Sequence, residues 1–176
     1  IDELRQNSGA VVLSFGLLLL PLPIYFVLHG TAQFNDTVFR WQTLILAVPA
    51  LVFWIVAHEL THALGWIIFG RLSWKNISFG IDRKTLSPYA HADTLMRADA
   101  YRIGAALPSI TTGVLPILLG LWGGDGALTL LGGFLLSAAV GDVLVVWVIR
   151  SVPGKAQVID HPSKAGCLVE ESAFSS

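Results

Sequence analysis

Cysteine and charge are both scarce in this chain. A single cysteine, Cys167, stands among 176 residues, which excludes a disulfide within the chain and a cysteine-based zinc site. Only 13% of the residues are charged, 54% are hydrophobic, and the mean hydropathy is +0.68. Such values exclude an ordinary soluble domain and are typical of a membrane protein. The net charge of −1 comes with no basic patch of the kind that binds nucleic acid, so we expect no nucleic-acid partner.

The chain contains long hydrophobic runs. Four windows contain the roughly twenty apolar residues that a spanning helix requires, namely residues 10–28, 43–70, 103–122 and 127–149. The pattern predicts an all-α protein with four transmembrane helices, formed by residues 1–176 as one domain embedded in the lipid bilayer. A cleaved signal peptide is the alternative for the first window. Its length and the preceding Asp2 and Glu3 argue against that alternative.

Lysine and arginine are unevenly distributed between the connections. Ten of the 11 basic residues lie before the first window, in the loop of residues 71–102 or in the tail of residues 150–176. Only Arg40 lies in the opposite connections, which are the segment of residues 29–40 and the short turn at residues 123–126. Because basic residues accumulate on the cytoplasmic side, we predict that both termini and the 71–102 loop are cytoplasmic.

One polar stretch interrupts the second window, and its sequence is His58-Glu59-Leu60-Thr61-His62. On a helix, a spacing of four residues places both imidazoles on one face, where each can offer a ring nitrogen to one zinc ion. Glu59 lies beside them and is predicted to be the general base for a zinc-bound water. A structural hydrogen-bonded cluster is the alternative. The apolar flanks favour a Zn²⁺ site, because ionisable groups at such depth are costly and usually mark function.

A catalytic zinc site usually has three protein ligands, so a third ligand is needed. Asp142 is the best candidate because it is the only charged residue in the fourth window. It lies eight residues before Arg150, and His62 lies eight residues before Gly70, which places both about 12 Å from the same membrane face. We therefore predict Asp142 as the third ligand. A carboxylic acid hydrogen-bonded between helices is the structural alternative.

The cytoplasmic loop contains a pattern typical of a β-hairpin. Residues 76–81 and 85–91 flank a turn at residues 82–84, and Pro88 marks an edge strand. Such an edge could pair with an extended substrate, or the hairpin could simply cap the helices. His91 in this loop is either a fourth polar group of the site or a surface histidine, and we predict the surface position. His29 is predicted to be structural.

These features resemble a known family, the "putative zincin peptidases" of prokaryotic membranes, formerly classed as a domain of unknown function and similar to site-2 intramembrane metalloproteases. The resemblance covers roughly residues 51–169 and rests on His58 to Gly65, the Tyr89 region, Pro108, Gly141-Asp142, and Asp160-His161-Pro162 followed by Gly166. It implies that His58, His62 and Asp142 are metal ligands, that Glu59 is the catalytic acid and base, and that the protein lies in a prokaryotic cell membrane. The last window reads Gly-Asp-Val, where site-2 proteases have Leu-Asp-Gly.

The combined features predict an intramembrane zinc metalloprotease that cuts a membrane-associated protein or peptide near the cytoplasmic face, with a zinc-activated water and Glu59 as general base. A divalent-metal transporter and a non-catalytic metal-binding membrane protein are the alternatives. Zinc transporters with a similar motif look richer in metal-binding side chains, with a second carboxylate after the second histidine. This chain has Ala63 at that position, and its third window offers only hydroxyl side chains, those of Ser109, Thr111 and Thr112.

Overall fold

The computed structural model describes residues 2–82, 87–161 and 166–170, with side chains from residue 9 onward. The described part is mostly helical. It contains four helical segments that are long and apolar enough to cross a membrane, namely Gly9–Val38, Trp41–Gly70, Ala98–Gly123 and Gly126–Ser151. The predicted helical class with four spanning segments is confirmed, and these segments indicate a multi-pass membrane protein.

The first spanning segment is longer than the sequence pattern predicted. Helix α1 covers Asp2–Leu19, and α2 covers Pro21–Val38 with a kink at Gly30, whose φ is +76°. Most of the predicted connection at residues 29–40 is therefore helical and continues α2 as far as Val38. Polar groups of α2 hydrogen-bond to backbone carbonyls: Gln33 Nε2 donates to Gly124 O at 3.0 Å, and the His29 ring lies 2.6 Å from Leu121 O. Because these polar side chains are hydrogen-bonded, they can lie within an otherwise apolar helical segment.

The other three spanning segments match their windows. Helix α3 covers Trp41–Gly70 without interruption by its internal Pro49. The third segment consists of α4 (Ala98–Pro108), a π-helical stretch (Ser109–Val114) and α5 (Leu115–Gly123). The fourth consists of α6 (Gly126–Ala138) and α7 (Val140–Val148), which continues into a 3₁₀ turn at Ile149–Ser151. Asp125 caps α6 by accepting the Leu128 N–H at 3.0 Å.

The chain divides into two compact units, one formed by residues 1–55 and 109–140 and the other by residues 56–108 and 141–176. That residues 1–176 form a single domain stays a prediction. All residues of the predicted site lie in the second unit, which also contains the strands.

The predicted hairpin is present in the second unit. Strands β1 (Ile77–Ile81) and β2 (Pro88–Ala92) pair antiparallel, with Ile77 opposite Ala92 and Ile81 opposite Pro88. The turn residues 83–86 lie outside the described residues. A 3₁₀ turn at Trp74–Asn76 leads into the hairpin from the end of α3.

A second small sheet was not predicted. It contains β3 (Met96–Arg97), β4 (Gln157–Asp160) and β5 (Cys167–Val169), all antiparallel and in the order β3-β4-β5. The sheet brings the tail, predicted only as a cytoplasmic extension, next to the start of α4. Val158 is fully buried and joins a core that also contains Ala63, Trp66, Met96 and Tyr101.

Candidate metal centre

The two histidines of the motif lie one turn apart on α3 and project to the same side. Their ring centroids are 5.1 Å apart, and the ring planes are nearly perpendicular at 81°. Thr61, between them, satisfies its own hydroxyl by donating to the Ala57 carbonyl one turn earlier. The helix therefore presents the imidazoles of His58 and His62 without a competing polar group from Thr61.

Asp142, in the first turn of α7, meets both histidines. Its Oδ2 lies 3.2 Å from His58 Nε2 and 3.5 Å from His62 Nε2. One ligand atom from each of the three residues lies within 4.8 Å of the others, and no other such group occurs among the described residues. Two imidazole nitrogens and one carboxylate oxygen are donors that zinc accepts in catalytic sites, where a fourth position stays open. The donor set therefore fits zinc.

His62 is held in place from its other side. Its Nδ1 lies 3.0 Å from the Gly104 carbonyl on α4, an arrangement that directs Nε2 toward Asp142. The ring stacks on Trp66 at 5.5 Å, and Trp66 stacks on Tyr101 at 5.8 Å. The Trp66 indole also donates to the Tyr101 carbonyl at 3.3 Å. This packing leaves His62 only 7% exposed and fixes its orientation.

Two glycines allow α3 and α4 to approach closely beside His62. A Cβ on Gly65 would lie 2.6 Å from Gly104 Cα, and a Cβ on Gly104 would overlap the indole of Trp66. We therefore expect Gly104→Ala to lower the free energy of unfolding by about 1–3 kcal/mol through overpacking, measured by chemical denaturation in detergent. Gly16→Ala is the matched control, since nothing lies within 4 Å of its added Cβ. Equal stability of the two variants would contradict close packing at Gly104.

Glu59, the predicted general base, is half-buried beside the three clustered residues. Its carboxylate lies near the backbone N–H of Ala90 in β2 and close to the side chains of His58, His62 and Asp142. The hairpin therefore places one backbone N–H beside the carboxylate of the motif.

The outer edge of β2 contacts side chains of its own unit. Ala92 N–H donates to Asp160 Oδ2 at 3.4 Å, and Ala90 lies next to the Glu59 carboxylate. Asp93 N–H, by contrast, bonds across the hairpin to Asn76 O at 2.8 Å. These contacts favour the alternative in which the hairpin caps the unit. Pairing of the hairpin with a substrate stays a prediction.

Two further histidines, His91 and His161, lie outside the group of three. His91 Nδ1 is 3.2 Å from Asp160 Oδ2 and its Nε2 is 3.5 Å from Asp93 Oδ1, so His91 is half-buried in a network of carboxylates. The His161 N–H bonds to Gly166 O at 2.9 Å in the tail. Burial raises the pKa of the Asp160 carboxyl, while the Tyr101 hydroxyl and the nearby His91 partly offset that effect.

A model of the family described as "Putative zincin peptidase" matches residues 51–157. The chain belongs to this family. The matched range includes the motif of α3, the hairpin, α4 and Asp142. Membership of the zincin peptidase family suggests a metallopeptidase and implies zinc, in agreement with the donor set above. Comparisons with curated proteins and with solved structures give no match.

Proposed function

We propose that this member of the zincin peptidase family is an intramembrane zinc metalloprotease that hydrolyses a peptide bond of a membrane-associated protein or peptide near the cytoplasmic face. The observation that carries the proposal is the close grouping of His58, His62 and Asp142, with Glu59 beside them, on helices otherwise suited to lipid. Ionisable groups clustered at such positions are costly unless they serve a function.

In this proposal, His58 and His62 would hold zinc through Nε2, and Asp142 would hold it through Oδ2. The carbonyl of Gly104 holds the second nitrogen of His62, so the metal-facing nitrogen carries no proton. When bound, zinc supplies Lewis acidity that lowers the pKa of a coordinated water toward about 7 and polarises the peptide carbonyl. Charge balance supports the assignment, because one divalent cation neutralises the two carboxylates of Asp142 and Glu59.

Glu59 acts as general base and then as general acid. Its carboxylate takes a proton from the attacking water, whose oxygen forms a bond to the peptide carbonyl carbon. The same group then delivers the proton to the amide nitrogen as the C–N bond breaks. The N–H of Ala90 restrains one side of the carboxylate and leaves its remaining acceptor positions for the reacting proton.

A test in vesicles separates a protease from the alternative functions. The purified full chain is reconstituted with a labelled model transmembrane peptide, and both peptide cleavage and zinc entry are followed. We expect cleavage that a chelator abolishes, without zinc flux above that of empty vesicles. Zinc flux without cleavage would support a transporter, and zinc binding without either activity would support a non-catalytic metal-binding protein.

The distribution of basic residues supports cytoplasmic termini in this proposal. Reporters fused at Lys84 and after Lys164 are expected to give cytoplasmic signals, and a reporter inserted at Gly124 is expected to give the opposite signal. The signals are measured in intact bacterial cells by fusing two reporter enzymes, in separate proteins, at each position. Reversed signals would place the site in the other half of the bilayer and contradict the proposal that cleavage occurs near the cytoplasmic face.

A further inference from the structure

Asp160, at the end of β4, connects the hairpin to the helix that supports His62. Its Oδ1 accepts a hydrogen bond from the Tyr101 hydroxyl on α4 at 2.8 Å. Its Oδ2 lies 3.4 Å from the Ala92 nitrogen on β2 and 3.2 Å from His91 Nδ1. The carboxylate is only 12% exposed, so these contacts are largely shielded from water. One side chain from the tail therefore bonds to two different elements next to the candidate metal centre.

Ala92 and Ala90 lie on the same edge of β2. Backbone N–H groups two residues apart in a strand point the same way and are separated by about 6.8 Å. The Ala92 N–H donates to Asp160, and the Ala90 N–H lies beside the Glu59 carboxylate. The two carboxylates thus lie along the same outer edge of a single strand. A shift of the strand at Ala92 would therefore also move the donor at Ala90.

We propose that Asp160 is a positioning residue that anchors β2 so that the Ala90 N–H holds the Glu59 carboxylate in its catalytic orientation. This role rests on the proposed function, because it supposes that Glu59 transfers a proton. Asp160 does not touch the group formed by His58, His62 and Asp142, so its effect passes through the strand. Asp160 connects β2 to α4 through the Ala92 N–H at 3.4 Å and the Tyr101 hydroxyl at 2.8 Å.

The Asp160 carboxylate also contacts α4, the helix whose Gly104 carbonyl lies beside His62. Tyr101, which donates to Asp160, lies three residues before Gly104 on α4, and Gly104 O holds His62 Nδ1. We expect the backbone of α4 to stay helical without the Tyr101–Asp160 bond, because its helical hydrogen bonds are made within the helix, so this second connection is the less sensitive one. Loss of Asp160 is therefore expected to disturb Glu59 more than zinc binding.

The test compares Asp160→Ala with Asp93→Ala in the full chain in nanodiscs. Asp93 is the matched control because it carries the same charge, follows β2 directly and contacts His91 and Ser78 rather than the outer edge of β2. In Asp160→Ala, the amides of Ala90 and Ala92 are expected to exchange hydrogen about tenfold faster, with zinc content unchanged. We expect kcat to fall about 10- to 100-fold with little change in KM. Asp93→Ala is expected to behave as wild type.

A second variant keeps the test decisive if Asp160→Ala does not fold. Asp160→Asn preserves the side-chain volume but replaces one of the two acceptor oxygens by an amide NH₂ group that can only donate, so we expect about threefold faster exchange at the same two amides. Unchanged exchange in the folded Asp160 variants would overturn the proposal. Equal acceleration in Asp93→Ala, or acceleration spread evenly over β3, β4 and β5, would reduce Asp160 to a structural role and also overturn it.

The same experiments distinguish a failure of the proposed function from a failure of the role proposed for Asp160. A wild-type protein that cleaves no peptide would overturn both the protease mechanism and the proposal that Asp160 positions a catalytic Glu59. The exchange of the Ala90 and Ala92 amides would still decide whether Asp160 anchors the strand. Loss of zinc from Asp160→Ala would contradict an effect that passes through Glu59.

Discussion

Glu59→Gln is expected to retain zinc and to lose peptide cleavage by about 10²- to 10⁴-fold, the usual contribution of a general base. The substitution keeps the size of the side chain and leaves all three clustered residues, His58, His62 and Asp142, in place. A neutral amide oxygen cannot take the proton of the attacking water. The amide can still accept the Ala90 N–H, so the hairpin contact is preserved.

The measurement is zinc content by atomic emission together with kcat on a labelled transmembrane peptide. Asp36→Asn is the matched control, since it makes the same carboxylate-to-amide change on an exposed position of α2, in the other unit. It is expected to leave both quantities at wild-type values. Wild-type kcat in the Glu59→Gln protein would eliminate Glu59 as the base.

Asp142→Ala is expected to lower zinc affinity by at least about a hundredfold and to abolish cleavage. Substitution of residues that only support a ligand already costs about 10- to 100-fold in affinity or activity, and removal of a ligand itself should cost more. The two histidines would remain, 5.1 Å apart between ring centroids, without the carboxylate that lies within 3.5 Å of both. Zinc affinity is measured by competition with a chelator of known affinity.

His91→Ala and His161→Ala serve as controls for Asp142→Ala. Neither histidine belongs to the group of three potential ligands, so zinc stoichiometry is expected to stay near the wild-type value in both variants. Full zinc binding and activity in Asp142→Ala, combined with loss of zinc in either control, would assign the third ligand to His91 or His161 and contradict a role for α7 in zinc binding.

The spanning helices could be predicted from the sequence because length and apolar composition suffice to identify them. The extension of α2 through residues 29–38 could not be predicted in this way. Its polar groups resemble a connection in sequence, and their bonding partners, the carbonyls of Leu121 and Gly124, lie about 90 residues away in the chain. The sequence alone does not show that these polar side chains have hydrogen-bond partners.

Strand prediction succeeded for local pairing and failed for distant pairing. The hairpin partners Ile77 and Ala92 lie close in sequence and flank a turn pattern. The sheet of β3, β4 and β5 instead pairs Met96 with Val158, and its strands contain only two to four residues. Such short segments give almost no periodic signal.

The candidate site shows the same contrast between side-chain chemistry and backbone support. Asp142 could be identified because helix rise placed it at the depth of His62, and the structure brings the two residues together. The supporting groups are the Gly104 carbonyl beside His62 and the Ala90 N–H beside Glu59. Both are backbone groups that residue identity does not reveal, since all residue types except proline carry them. Asp160 carried a sequence signal only through the tail that resembles the family.

The most direct test of the central claim is a zinc titration of metal-free wild-type protein, with peptide cleavage recorded at each step. We expect no cleavage without metal and a linear recovery that reaches its maximum at one zinc per chain, because His58, His62 and Asp142 form a single group of donors among the described residues. Glu59→Gln should bind the same single zinc without recovering cleavage. Full cleavage by the metal-free protein would contradict a zinc peptidase.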